Sequence, residues 1–143
     1  MKIPSFILLC IIASSLLILY TSCKKENFTK VIVGNYSGTA IVQRRLNDIK
    51  LDTFTQSKIS ISRIDRKKVR VMIIANPLDP ASQTTYDIPM IDNYTFAGGF
   101  GTGSRQPTTS YRGELSGTIL DFKDQTLSMY GVERQILFHG QKD

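Results

Sequence analysis

Beyond residue 30 the chain alternates apolar and polar residues over short runs and rarely repeats them at helical spacing. Lys58-Ile59-Ser60-Ile61-Ser62 alternates cleanly, and so does Val69-Arg70-Val71-Met72-Ile73, the period expected of half-buried strands. The polar Asp65-Arg66-Lys67-Lys68 separates them, so Ser57 to Ala75 predicts a β-hairpin. Further strands are expected over Tyr36 to Arg44, Thr85 to Ile91, Tyr94 to Phe100, Tyr111 to Phe122, Thr126 to Tyr130 and Glu133 to Gly140. Asp124-Gln125 and Gly131 predict tight reversals near the end of the chain, and Asn47-Asp48 and Pro77-Leu78-Asp79-Pro80 predict longer loops. Leu46 to Phe54 carries the one mild helical stripe. About eight short strands with short links predict an all-β fold, a single antiparallel up-and-down β-barrel, with a β-sandwich as the alternative. Gly34, Gly38, Gly113 and Gly117 interrupt strand patterns, as at bulges or barrel corners.

The first residues follow a different rule. Lys2 precedes the apolar runs Phe6 to Ile12 and Ser15 to Tyr20, and small residues follow at Thr21-Ser22. A basic start, an apolar stretch and small residues before a cut are the parts of a secretory signal. An uncleaved membrane anchor is the rival reading, because the run approaches the length that spans a bilayer. Tyr20-Thr21-Ser22-Cys23 resembles a bacterial lipobox, with Tyr20 where the family has Leu. That resemblance implies cleavage before Cys23 and acyl chains such as palmitate on it. Ser22-Cys23-Lys24-Lys25-Glu26 is also similar to the start of many Bacteroidota lipoproteins, and Lys24 resembles the signal for outer-membrane sorting. The expected organisation is a signal peptide over 1–22, a lipidated cysteine and tether over 23–30, and a β-barrel domain over 31–143.

Composition narrows the partners. The formal charge is +6 over 143 residues, enough to favour anionic surfaces. It falls short of a nucleic-acid footprint, since no long basic stripe is interleaved with aromatics. Cys10 would leave with the signal, so the mature domain has no intramolecular disulfide. Val33-Gly34-Asn35-Tyr36-Ser37-Gly38, Gly113-Glu114-Leu115-Ser116-Gly117 with Leu120 and Phe122, and the close Phe138-His139-Gly140-Gln141-Lys142 resemble calycin-like, lipocalin-like domains of Bacteroidota lipoproteins. The resemblance implies a barrel interior able to hold a small apolar or lipidic ligand.

Candidate chemistry is sparse. His139 is the single histidine, and with no cysteine left beside it an ordinary strand position is expected, not a metal site. Asp48, Asp52, Asp121, Asp124 and Glu133 form an acid–base pair only if folding brings two together; Asp48 and Asp52 are read in a polar loop and Asp124 in a turn. Gly98-Gly99-Phe100-Gly101-Thr102-Gly103-Ser104 lacks the helix start that phosphate cradles need, and is read as a loop at the barrel mouth. Lys58, Arg63, Arg66, Lys67, Lys68 and Arg70 cluster on the predicted hairpin and are the candidates for docking on an anionic surface. The bland reading makes them solvated charges that protect a strand edge. No nucleophile, base and orienting group stand together. The expectation is therefore a non-enzymatic, lipid-anchored protein of the cell envelope at the outer membrane, without cofactor or metal. Its membrane contact runs through Cys23, and it binds a small apolar ligand. The alternative is a surface protein-interaction or inhibitor module acting through loops and the basic hairpin.

Overall fold

A computed structural model describes residues 27–45, 48–79, 83–101, 108–128 and 131–143. A one-turn helix, α1 (Thr29–Ile32), leads into eight strands: β1 (Gly34–Arg45), β2 (Ile49–Arg63), β3 (Lys68–Ile74), β4 (Gln83–Pro89), β5 (Thr95–Phe100), β6 (Thr108–Ser116), β7 (Ile119–Ser128) and β8 (Gly131–Lys142). All pair antiparallel in one sheet of order β4-β3-β2-β1-β8-β7-β6-β5. Each strand lies beside its sequence neighbour, and β1 closes on β8 through a register running from Tyr36↔Lys142 to Arg44↔Arg134. The single break falls between β4 and β5, which share only the bridge Met90↔Phe96. The result is the predicted up-and-down barrel, closed except for a seam that is pinned at one end.

The alternation decides which side chains fill it. Along β3, Val69, Val71 and Ile73 are fully buried while Arg70 is exposed between them. The same period puts Ile59 and Ile61 of β2, Leu120 and Phe122 of β7, and Ile136 and Phe138 of β8 inside. Most of these bulky side chains, with Tyr36 and Phe96, pack the half of the barrel nearest the chain's entry, while Ile73 and Ile136 reach the level of their cross-strand partners Thr84 and Asp124. That end is plugged by α1, whose Thr29 and Ile32 are fully buried. A helix of one turn has no stability of its own. It is held by Ile32 in the core, by the Tyr36 hydroxyl donating to the Ile32 carbonyl at 2.6 Å, and by the Phe28 N–H donating to Arg66 at 3.0 Å.

Two close approaches need glycine. Phe96 lies opposite Gly113 with its ring over the space a Cβ would occupy, and Gly38 meets the backbone of His139 and Gly140 in the same way. Gly117 holds φ +62° in the Gly117-Thr118 turn between β6 and β7, a conformation that favours glycine.

Several expectations are corrected. Tyr111 to Phe122 is not one strand but two, split at Gly117-Thr118. Asp124-Gln125 is no reversal; both lie within β7, paired with Tyr111 and Ser110 of β6. The mild helical stripe after Leu46 is extended strand from Ile49 onward, which also takes Asp52 out of a loop and into β2.

Candidate functional site

At the end of the barrel opposite α1 the interior changes character. Beside the buried Val42, Ile73 and Ile136, the inward positions there carry Thr84 and Tyr86 from β4, Thr109 and Tyr111 from β6, Asp124 and Thr126 from β7, and Arg134 from β8. Asp124 is 1% exposed. Its Oδ2 accepts from the Tyr86 hydroxyl at 2.7 Å and from Arg134 at 3.3 Å, and Arg134 also donates to Thr84 Oγ1 at 3.3 Å. Its Oδ1 is buried without a hydrogen-bond partner among the described residues. Burial first, and the bond to Asp124 second, push the Tyr86 phenol well above its ordinary range. The Tyr86 and Tyr111 rings are 4.8 Å apart, and Phe100 stands 6.5 Å from Tyr111.

This cluster has a structural task and a chemical surplus. At the mouth the seam leaves β4 without a strand partner on one side. Tyr86 and Thr84 tie it instead across the interior to β7 and β8. The surplus is Oδ1. A buried polar atom left unpaired costs about 1–3 kcal/mol, and a half-satisfied buried carboxylate is a feature that asks for an explanation. It offers a strong acceptor beside an aromatic wall, suited to a donor N–H or O–H on a ring-bearing or acyl group.

The outer wall is the reverse of the interior. Lys58, Ser60, Ser62, Arg70, Asp87, Arg112, Glu114, Asp121, Lys123 and His139 all point outward along the strands. A charge on the lipid-facing wall of a membrane barrel costs about 2–4 kcal/mol near the midplane for Arg or Lys, so this wall suits water. Among the described residues no helix is long and apolar enough to cross a membrane. An apolar dip interrupts the wall at β1 and β8: a groove of about 430 Å³ in which Ile41 and Leu137 lie exposed between Thr39, Lys123 and the His139–Asp121 pair. In that pair His139 Nδ1 stands 2.7 Å from Asp121 Oδ1, both side chains mostly in solvent.

The residues singled out in the sequence are dispersed. Lys58 stands mid-wall on β2, away from the hairpin tip. Arg70 forks onto Asp87 at 2.7 and 3.0 Å, and its guanidinium holds the Asp87 carboxyl below the usual carboxylate range. Arg63, Arg66, Lys67 and Lys68 do gather, around the β2–β3 turn at the α1 end, far from the mouth. Asp121 meets His139 and none of the other candidate acids among the described residues; Asp48 precedes β2, and Glu133 lies in β8. No group of three or more potential metal ligands occurs among the described residues. Gly98 to Phe100 belong to β5, while Thr102 to Ser104, like Cys23 and its signal, lie outside the described residues. Asp124 is the site residue that a turn reading hides. Its signal is the run Leu120-Phe122-Asp124, an acid on an otherwise apolar strand face.

No family model matches the chain, nor does any curated protein. Among solved structures it is similar to a crystallised chain from Bacteroides fragilis provisionally named an outer membrane protein. The TM-score is 0.56 at 16% sequence identity, over 81% of this chain and 53% of the other. The likeness is one of fold. This chain spans about half the length of that relative.

Proposed function

We propose that the chain is a non-enzymatic, lipid-anchored protein of the bacterial cell envelope, held at the outer membrane by acyl chains on Cys23. The polarity of the barrel carries this reading. With a charged outer wall and its Ile, Val, Leu and Phe turned to the interior, the barrel is built for water, and attachment must come from elsewhere in the chain. The lipobox-like Tyr20 to Cys23 supplies it. Each buried methylene contributes about 0.8 kcal/mol and two or more chains make retention stable. The fold likeness to a Bacteroides chain named for the outer membrane supports the compartment. Cells fed labelled palmitate should label the protein, and Cys23→Ala should abolish both label and membrane retention. Retention that survives the substitution would refute the proposal.

Within that reading the barrel is a calycin-like binding module whose site is the mouth half. The α1 half is filled by its own side chains, so the ligand is amphipathic: a donor group for Asp124 Oδ1 and an apolar or ring face against Tyr86, Tyr111 and Phe100. Native mass spectrometry of the mature protein from its own host should find a small molecule that Asp124→Leu loses. A wild-type barrel that comes out empty, or a ligand retained by the variant, excludes the mouth as the site. The exposed Ile41 and Leu137 favour a second reading, in which a partner protein docks on the outer groove. Ile41→Lys would then abolish capture of that partner and leave the mouth ligand in place.

A further inference from the structure

The barrel end that carries α1 has a chemistry of its own. Four features meet there: α1, the β2–β3 turn, the β4–β5 turn and the β6–β7 turn. They are bonded into one surface. Phe28 N–H donates to Arg66, Met90 N–H to Lys67 at 2.7 Å, and Leu115 N–H to Tyr94 at 2.8 Å. From this surface project Ile64, Ile91 and Tyr94, which are 42%, 59% and 52% exposed. Exposed apolar side chains also occur at the mouth, at Ile49, Leu51, Leu78 and Phe100, so what sets these three apart is their place beside the cations and the chain's entry.

Cations stand at the same end, on α1 and around the β2–β3 turn: Lys30, Arg63, Arg66, Lys67 and Lys68. The acids on the turns and terminus here are Asp65, Asp92 and Asp143, and Asp87 of β4, tied to Arg70, lies near Lys68. Two of these are bound into turns, Asp65 accepting from the Lys67 N–H at 2.7 Å and Asp92 from the Tyr94 and Thr95 N–H groups at 2.7 Å each. Lys67 also lies 5.1 Å over the Phe28 ring, which keeps that ammonium at the surface beside the point where the chain enters the fold.

Chain geometry supplies the occupant. Phe28 is fixed to the β2–β3 turn by its backbone bond. An acylated Cys23 lies five residues earlier, and a fully extended chain covers about 3.5 Å per residue, so at most about 18 Å separate them. A tether that short leaves this end of the barrel against the bilayer and no other end within reach. Lys and Arg held near an anionic surface are attracted within a Debye length of about 8 Å at physiological salt, and tyrosine favours the headgroup level.

We infer that the α1 end of the barrel is a membrane-docking face, in which Ile64, Ile91 and Tyr94 enter the headgroup region of an anionic bilayer and the surrounding lysines and arginines bind its phosphates. The inference rests on lipidation of Cys23. It orients the barrel with its mouth, and the Asp124 cluster, pointing away from the membrane.

The chain contains no tryptophan, so single reporters are unambiguous. Tyr94→Trp, Ile91→Trp and, at the mouth, Phe100→Trp would be introduced separately into the mature lipoprotein. Each would be reconstituted in vesicles of phosphatidylethanolamine and phosphatidylglycerol, with brominated acyl chains as quencher. Circular dichroism of each variant confirms the barrel. Emission from positions 94 and 91 should shift to shorter wavelength and be quenched, while position 100 stays as in water. Arg66→Glu with Lys67→Glu should reduce the quenching at 94, as should high salt. Equal, water-like emission at all three positions on vesicle-bound protein overturns the docking face and leaves the anchor intact. Protein that neither carries palmitate nor stays with the vesicles would instead overturn the anchor.

Discussion

Tyr36→Phe removes one oxygen atom from the centre of the plug. The wild-type hydroxyl is buried and donates at 2.6 Å to the carbonyl of Ile32, an acceptor at the end of α1. The phenylalanine ring fits the same space, so packing is kept and only the hydrogen bond is lost. What remains is a buried carbonyl without that donor, a loss of about 1–3 kcal/mol. For a domain of this size that lowers Tm by about 4–12 °C. The damage should also be local. The Val33 N–H, which closes α1 by donating to Thr29 at 3.3 Å, should exchange with solvent faster in the variant, while amides in the β7–β8 ladder keep their relative order. Calorimetry and hydrogen exchange on the two proteins check both parts. An unchanged Tm together with unchanged exchange at Val33 refutes the view that this hydroxyl holds the plug.

Burial raises the Tyr36 phenol from 10.0 to about 12. A raised pKa means the unfolded chain ionises first, so the stability linked to this group is intact below pH 10 and is lost as pH climbs toward 12, at up to about 1.4 kcal/mol per pH unit. The stability gap between wild type and Tyr36→Phe should therefore narrow in urea titrations above pH 10; a constant gap contradicts the burial. Tyr86→Phe strips Asp124 of its shortest donor. It should cost about 1–3 kcal/mol and speed amide exchange in β4 before β1. Gly113→Ala drives a methyl into the Phe96 ring. It should cost about 1–3 kcal/mol by overpacking, and much less in a Phe96→Ala background, which a double-mutant cycle in urea would measure.

The order and number of strands were legible because each strand carries its own alternation. What failed was phase. Between Gly38↔Ser57 and Ala40↔Phe54, β2 holds one residue more than β1. This bulge exchanges the two faces of the strand: Ile59 and Ile61 point inward, whereas Ile49 and Leu51, at the same parity, point out and are more than half exposed. Read without the bulge, that outward pair suggests a helical stripe. The hairpin at Gly117-Thr118 is hidden for a related reason. A two-residue turn lets Leu115 and Leu120 both face inward across it, so the run from Tyr111 to Phe122 looks continuous. Asp124 was misplaced for a third reason. An acid followed by Gln is ordinary turn composition, and its partners Tyr86 and Arg134 lie 38 and 10 residues away. The α1 end was half legible: the charges of the β2–β3 turn show in the sequence, but only the fold joins that turn to the one that carries Ile91 and Tyr94.

The pairing of β1 with β8 also fixes when the protein can finish folding. Ala40 meets Phe138, and Gly38 meets Gly140, so the sheet is joined by the first and last of its strands while its gap lies mid-chain. A chain emerging from its beginning therefore makes β1 to β4 as an open sheet with one hydrophobic face bare. It cannot wrap that face until β8 arrives. Such distant pairings form slowly. If the proposed lipoprotein is exported unfolded, that delay would keep the chain threadable until its last strand is through.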